Sequence, residues 1–230
     1  MQEFTELFDI VLGIVLVLLP IPILVLVAII FWHHWVSYIR ATFLNSQEMV
    51  LLRITPPRDI EKSPLAAELF LESLHQTGGE GNWYDKYWLG KTRACFSLEM
   101  VSIGGEVRFY LYTRKSLAKN IETQLYGQYP TAEIKIADDY VYDVDHSTGD
   151  YAMWGSYMTL TAKDAYPIQT YVDFGLDKEK EESLKIDPMT PMVEFLGSVE
   201  EGHNVWVQWL IRAHKTEDNA HSKIVFWNPL

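Results

Sequence analysis

Residues 10–39 contain no Asp, Glu, Lys or Arg, and this run is bounded by Asp9 and Arg40. The hydrocarbon core of a bilayer is about 30 Å thick and an α-helix rises about 1.5 Å per residue, so about 20 apolar residues suffice to span it. Lipid offers no partners to backbone polar groups, and a chain that crosses it must satisfy them within a helix. The sequence therefore predicts a transmembrane anchor at 10–39, preceded by a short extracytoplasmic segment at 1–9.

Two prolines, Pro20 and Pro22, interrupt this apolar run. Each proline removes a backbone donor and clashes with the carbonyl four residues before it, which kinks a helix. Two interpretations stay open: one kinked membrane helix, or two half-helices that form a re-entrant hairpin. Further along, Trp, Tyr and His residues at 32–35 and 38 form a belt typical of headgroup depth.

The charges on either side of the run predict its orientation. Three acidic residues precede it, whereas arginines follow it at 40, 53 and 58. The positive-inside rule then places the amino terminus outside and the carboxy-terminal part in the cytoplasm, as in a single-pass protein of the plasma membrane. A cleavable signal peptide is disfavoured, because it would have a basic start and a shorter apolar stretch.

The remainder of the chain is acidic. Residues 1–40 contain one arginine and three acidic residues, which leaves 18 basic and 28 acidic residues and a net charge of −10 in residues 41–230. Nucleic-acid backbones are bound by clustered Lys and Arg, so direct nucleic-acid binding is disfavoured. Cys95 is the only cysteine, which excludes an intrachain disulfide and agrees with a cytoplasmic location.

A linker at 40–48 is followed by a strand and a helix. Residues 49–55 (MVLLRIT) alternate as a strand does, and two prolines end the segment. Ser63 is a suitable N-cap and Pro64 a suitable first helical residue for the helix that comes next. Two glycines at 78 and 79 predict its end.

A hairpin, a second helix and a closing strand complete the first lobe. Alternating strands at 94–103 and 106–113 flank Gly104 and Gly105, a two-residue turn that indicates a β-hairpin. Ser116 is a suitable cap for the second helix, and residues 131–137 (TAEIKIA) form the last strand. The order β-α-β-β-α-β predicts a ferredoxin-like lobe at 49–137, with aromatic residues of the hairpin on one sheet face.

Two motifs of the chain resemble ligand sites and then depart from them. Gly90, Lys91 and Thr92 match the end of a phosphate-binding loop, but Asp85 stands where the first glycine is required. In the acidic loop at 138–150, Asp143 and Asp145 fall at the first and third positions of a calcium loop.

The calcium match then fails, because Thr148 stands where the turn glycine belongs and Trp154 where the bidentate Glu belongs. Asp143 and Asp145, with Asp150 of the same loop, remain weak metal candidates. We identify no catalytic residue and no cofactor-binding residue.

Residues 151–230 predict a second, related α+β lobe. Strands are expected at 151–162 and 168–174, a short helix at 188–199 and a strand at 204–214. Both faces of the last strand are largely apolar, which is typical of a central strand. On this interpretation Trp209 is fully buried.

Residues 97–134 (SLEMVSIGGEVRFYLYTRKSLAKNIETQLYGQYPTAEI) carry a family resemblance. They resemble the region between the membrane anchor and the motor domain in large bacterial ATPases of conjugation and type IV secretion, the HerA/FtsK-like class. The matching features are an aromatic strand that begins at Val107 and the later segment from Tyr129 to Ile134, and the likeness extends over about 49–214. The phosphate-binding loop and magnesium ligands of that family's motor are missing, so the resemblance implies a membrane and scaffold portion without ATPase activity.

We therefore expect a membrane-anchored cytoplasmic scaffold of a secretion or DNA-transfer machine that is not an enzyme. Its expected partners are the lipid bilayer and either a motor ATPase or further copies of the same chain. Two alternatives belong to other classes: a metal-dependent hydrolase that uses the acids of 138–150, or a nucleic-acid-binding module that stacks bases on the aromatic sheet face.

Overall fold

The computed structural model describes residue 13 and residues 18–57, 64–75, 81–144, 151–159, 169–176 and 188–212. The chain divides into two compact units, and each is described by itself. The elements, in chain order, are α1 (Pro20–Asn45), β1 (Met49–Thr55), α2 (Pro64–Ser73), α3 (Trp83–Tyr87), β2 (Cys95–Ile103), β3 (Glu106–Arg114), α4 (Lys115–Gln128), β4 (Glu133–Ala137), a 3₁₀ helix (Tyr140–Asp143), α5 (Thr190–Gly197) and β5 (Asn204–Arg212).

The first unit contains α1 and α3, in the segments Met1–Ser46 and Gly79–Thr92. In the described part of the chain, α1 is the one helix long and apolar enough, by length and composition, to cross a membrane. Pro20 and Pro22 lie in its first turn, where a missing backbone donor costs nothing because the first amides of a helix have no intrahelical acceptor. The described part of α1 therefore contains no proline in the middle of the helix. Most of residues 10–19, the first part of the predicted anchor, lie outside the described residues.

The far end of α1 differs from the prediction. The helix continues to Asn45, so residues 40–45 of the expected linker are helical. The backbone N–H of Ser46 then bonds to carbonyls of the last turn, and the hydroxyl of Ser46 donates to the carbonyl of Phe43 at 2.7 Å. These bonds satisfy carbonyl groups that the end of a helix leaves open.

The second unit is built on one five-stranded sheet with the order β4-β1-β3-β2-β5. All neighbouring strands are antiparallel. The predicted hairpin is confirmed: Gly104 and Gly105 both have positive φ, and Ile103 pairs with Glu106 across the turn. The protein is therefore a mixed α+β protein, as the sequence predicts.

One face of the sheet packs against α2 and α4 and forms the main core. Apolar residues that alternate along β1, β2 and β3 contact residues of both helices, and Leu111 at the centre has no exposed surface. The buried members of this core are Val50, Leu52, Phe70, Leu74, Ala94, Phe96, Leu111, Ile121 and Leu125. Ile121 and Leu125 belong to α4, the predicted second helix. Ser116 is not its cap, since the helix begins at Lys115 after Arg114 and no side chain bonds its first turn.

The region after residue 150 differs most from the prediction. Residues 151–159 contain no regular secondary structure and residues 171–176 form turns, so the two expected strands are wrong in the part that the structure describes. The expected short helix is confirmed as α5. The last predicted strand is confirmed as β5, but β5 lies at the end of the strand order beside β2.

Trp209 therefore does not occupy the fully buried position that we expect from the sequence. The Trp209 side chain is 36% exposed, because β5 has one described neighbouring strand, β2. The prediction that this strand is central in its sheet and buried on both faces is therefore wrong in the described part of the chain. A second lobe with a sheet of its own stays a prediction.

Candidate functional site

The second face of the sheet carries a buried carboxylate, Glu99, which is 6% exposed. Glu99 lies on β2, and the register places it between Tyr110 of β3 and Gln208 of β5. Residues alternate between the two faces of a strand, so these three side chains share a face. A charge at this depth needs partners, because burial without hydrogen bonds is costly.

Tyr140 of the 3₁₀ helix supplies the partner. Its hydroxyl donates a hydrogen bond to Oε2 of Glu99 at 2.8 Å and accepts one from Nε2 of Gln208 at 2.9 Å. Its ring centroid lies 5.3 Å from that of Tyr110 and 5.1 Å from that of Trp206. The side chain of Asp139 accepts a hydrogen bond from the backbone of Val141 at 3.0 Å and so holds the start of the 3₁₀ helix. We call Glu99, Tyr140, Gln208, Tyr110 and Trp206 the acid–aromatic cluster.

Burial controls the protonation of the acid–aromatic cluster. It raises the pKa of Glu99 above its ordinary value, although the hydrogen bond from Tyr140 acts in the opposite direction. Burial also raises the pKa of Tyr140, and the negative charge of Glu99 adds to that effect. Tyr140 therefore stays protonated at neutral pH and can act as a hydrogen-bond donor.

A half-open cavity of about 220 Å³ adjoins this cluster. Its wall includes the rings of Tyr140, Tyr151 and Trp206 and the carboxylates of Asp143 and Glu201. Aromatic faces and carboxylates both attract cations, so this lining suits a basic side chain more than an anion.

The structure describes one of the three weak metal candidates, so their grouping stays a prediction. Asp143 ends the 3₁₀ helix, whereas Asp145 and Asp150 lie outside the described residues. Among the residues that the structure describes, no group of three or more His, Cys, Asp or Glu side chains could hold a metal ion. In the motif that resembles a phosphate-binding loop, Nζ of Lys91 is paired with Oδ1 of Asp85 at 2.8 Å.

The aromatic sheet face is not an open platform at Tyr110. This side chain is 4% exposed because Tyr140 covers it, while Tyr112 is half-buried. Base stacking requires an accessible ring face. The geometry therefore leaves Tyr110 no role in stacking a base.

The two outer strands of the sheet offer a different kind of surface. Within the described residues, no strand pairs with the outer edge of β4 or of β5. Ile136 of β4 is 72% exposed, and Trp209 and Ile211 of β5 are each 36% exposed. Unpaired backbone groups beside exposed apolar residues are what a further strand binds to.

Sequence reasoning missed the acid–aromatic cluster. A signal was present: Glu99 interrupts the apolar segment of β2 on the same face as Val101. A carboxylate in the middle of an apolar strand implies a buried partner. The partner could not be named from the sequence, because Tyr140 follows 41 residues later in a segment that reads as loop.

Taken together, these features define an α+β protein whose described residues contain one candidate membrane helix and one five-stranded antiparallel sheet. The chain belongs to a family described as a domain of unknown function, DUF8128, whose family model matches residues 36–222. No curated protein and no solved structure matches the chain.

Proposed function

We propose that the protein is a membrane-anchored interaction module that binds protein partners and is not an enzyme. Helix α1 supports the anchoring, because its first 20 residues, which end at Ile39, carry no Asp, Glu, Lys or Arg and match the thickness of a bilayer core. The sequence resemblance described above supports a place in a secretion or DNA-transfer machine, with a motor ATPase or a second copy of the chain as partner.

The proposed architecture of residues 49–137 is a ferredoxin-like lobe. Apart from the short helix α3, which belongs to the first unit, the element order β1-α2-β2-β3-α4-β4 supports it, and so does the strand order β4-β1-β3-β2 with α2 and α4 packed on one face. Strand β5 extends this sheet beyond β2. The second lobe that we propose for 151–230 would include α5 and β5.

The outer edges of β4 and β5, which pair with no strand among the described residues, are the observation that carries this function. A partner that adds an extended segment to an exposed edge gains main-chain hydrogen bonds, and apolar side chains beside the edge provide specificity. Exposed edges that serve no partner are usually protected by charge or proline. Glu133 and Lys135 give β4 such charges, yet Ile136 of the same strand is 72% exposed, the highest value among the apolar residues of the two edge strands.

Purification in mild detergent tests the proposal. The full chain should elute with a motor ATPase or as a homo-oligomer, with the mass measured by light scattering and the components identified by mass spectrometry. Ile136→Lys should weaken that assembly, whereas Tyr142→Lys should not, because Tyr142 is 85% exposed on the 3₁₀ helix and belongs to neither edge strand. A strictly monomeric protein without partners would contradict the function.

The proposed orientation has its own test. Cysteines introduced at Gln2 and Asn219, each in a Cys95→Ser background, are exposed to a membrane-impermeant maleimide in intact cells. Position 2 should react and position 219 should not. The reverse labelling pattern would place the sheet outside the cytoplasm and remove the proposed partners.

A further inference from the structure

The short helix α3 packs against the exit end of α1 through aromatic rings. The ring centroid of Tyr87 lies 5.6 Å from that of Trp32, and that of Trp88 lies 5.8 Å from that of Trp35. Trp83 closes the group, with its centroid 5.9 Å from Tyr87 and 6.2 Å from Trp88. We call these five residues the aromatic collar.

Polar contacts fix the position of this segment on α1. The indole Nε1 of Trp35 donates a hydrogen bond to the backbone carbonyl of Tyr87 at 3.2 Å. Gly90 has φ +63°, and a Cβ there would lie 2.3 Å from the carbonyl oxygen of Ile39. Only glycine allows this approach, so the segment lies against the backbone of α1 itself.

The outer side of the segment is apolar and uncovered. Trp83 is 60% exposed, Tyr84 is 54%, Trp88 is 50% and Leu89 is 41%. Four large side chains exposed within seven residues exceed the scattered apolar residues of an ordinary surface, and such patches mark binding sites. Trp and Tyr have an apolar body and a polar tip, which suits the boundary between lipid and water.

The contacts with α1 indicate what covers this surface. Trp32 and Trp35 lie near the end of the stretch without charged residues, which ends at Ile39, just before Arg40. If α1 spans the bilayer, these two residues lie at the depth of the headgroups. Because α3 contacts both of them, it lies at the same depth along α1.

We propose that residues 83–89 rest in the headgroup layer beside α1 and form a second contact of this chain with the lipid bilayer. This inference depends on the proposed anchoring. Lys86 fits the same location: its Nζ lies 5.1 Å from the ring centroid of Tyr87, and a lysine can extend its ammonium group to lipid phosphates. The aromatic collar thereby sets how deep α1 sits.

Spin-label accessibility in lipid nanodiscs tests this contact. The full chain, with Cys95→Ser, carries one nitroxide at Leu26→Cys, Tyr84→Cys or Tyr142→Cys, in discs of phosphatidylcholine and phosphatidylglycerol loaded with one chain each. Frequent collision of the nitroxide with oxygen indicates a lipid environment. Frequent collision with a water-soluble nickel chelate indicates exposure to water. The ratio of oxygen to nickel collision at position 84 should lie between the high value at 26 and the low value at 142.

The three positions separate the possible failures. A lipid-like value at 26 with a water-like value at 84 would overturn the second contact and leave the anchoring intact. A water-like value at 26 would overturn the anchoring and with it the inference. Loading one chain per disc excludes a second copy as the cover; a ratio at 84 that rises only at two chains per disc would show that a second copy covers the patch, and would also overturn the inference.

Discussion

The hydroxyl of Tyr140 donates a 2.8 Å hydrogen bond to the carboxylate of Glu99, which joins the 3₁₀ helix to the middle of β2. The same hydroxyl accepts a bond from Gln208 of β5, so one phenol connects three elements that are far apart in sequence. These contacts hold the 3₁₀ helix against the second face of the sheet.

Replacing Tyr140 by Phe should destabilise the fold. The change removes the donor that Glu99 uses and leaves a buried carboxylate with one partner fewer, which costs about 1–3 kcal/mol. Urea titration gives the free energy of unfolding of the variant and of the parent protein, and the difference between them is this cost. Tyr142→Phe is the matched control, because Tyr142 is 85% exposed and its loss of a hydroxyl should change stability by less than about 0.5 kcal/mol. Equal effects of the two changes would contradict the role of Tyr140.

The stability difference between Glu99→Gln and the parent protein should depend on pH. Folding raises the pKa of Glu99, so between the unfolded and folded pKa values the folded state binds more protons. The free energy of unfolding of the parent therefore falls as pH rises through that window, which begins at about pH 4.3. Gln does not titrate, so the variant should gain stability relative to the parent as the pH rises above about 4.3, the ordinary pKa of a Glu side chain. A difference that stays constant over this range would show that burial does not shift the pKa of Glu99.

Leu111→Ala should cost about 2–5 kcal/mol, since it leaves a cavity among residues that are already buried. Leu65→Ala makes the same chemical change at a residue of α2 that is 49% exposed, and it should cost much less. Chemical denaturation of the two variants gives the comparison. Similar costs would mean that the cluster around Leu111 is not the main core.

Gly90→Ala should release α3 from α1. The new Cβ would clash with the carbonyl of Ile39, and the positive φ adds roughly 1–2 kcal/mol of strain for any L-residue. Hydrogen exchange of peptides from 81–92 should become faster in this variant. Gly81→Ala serves as control, because its Cβ would meet only the carboxylate of Asp85 at 3.7 Å. Unchanged exchange in Gly90→Ala would mean that the close approach to α1 is not maintained.

Local signals explain which parts of the fold could be predicted. Strand β1 and the hairpin follow from alternation and from two glycines whose positive φ the turn requires. Helix α2 begins at Pro64, the residue that the N-terminal pattern indicates. In each case the determining contacts lie within a few residues, so a single sequence contains the information.

The features that the sequence did not predict depend on distant contacts. Helix α3 has five residues, too few to form without support, and α1 provides that support from about fifty residues away. Trp209 follows a regular alternation, but its burial depends on where β5 lies in the strand order. Alternation reveals which face a residue occupies and does not reveal whether a further strand covers it.

The two segments of the first unit, Met1–Ser46 and Gly79–Thr92, have a practical consequence for protein production. The usual way to obtain a water-soluble form of an anchored protein is to begin expression just after the apolar helix. Here that cut would remove Trp32 and Trp35 and leave Tyr87 and Trp88 without the rings of α1 that they contact. If α1 is the proposed membrane anchor, a single truncation point would remove the anchor and leave the second proposed lipid contact, residues 83–89, in water.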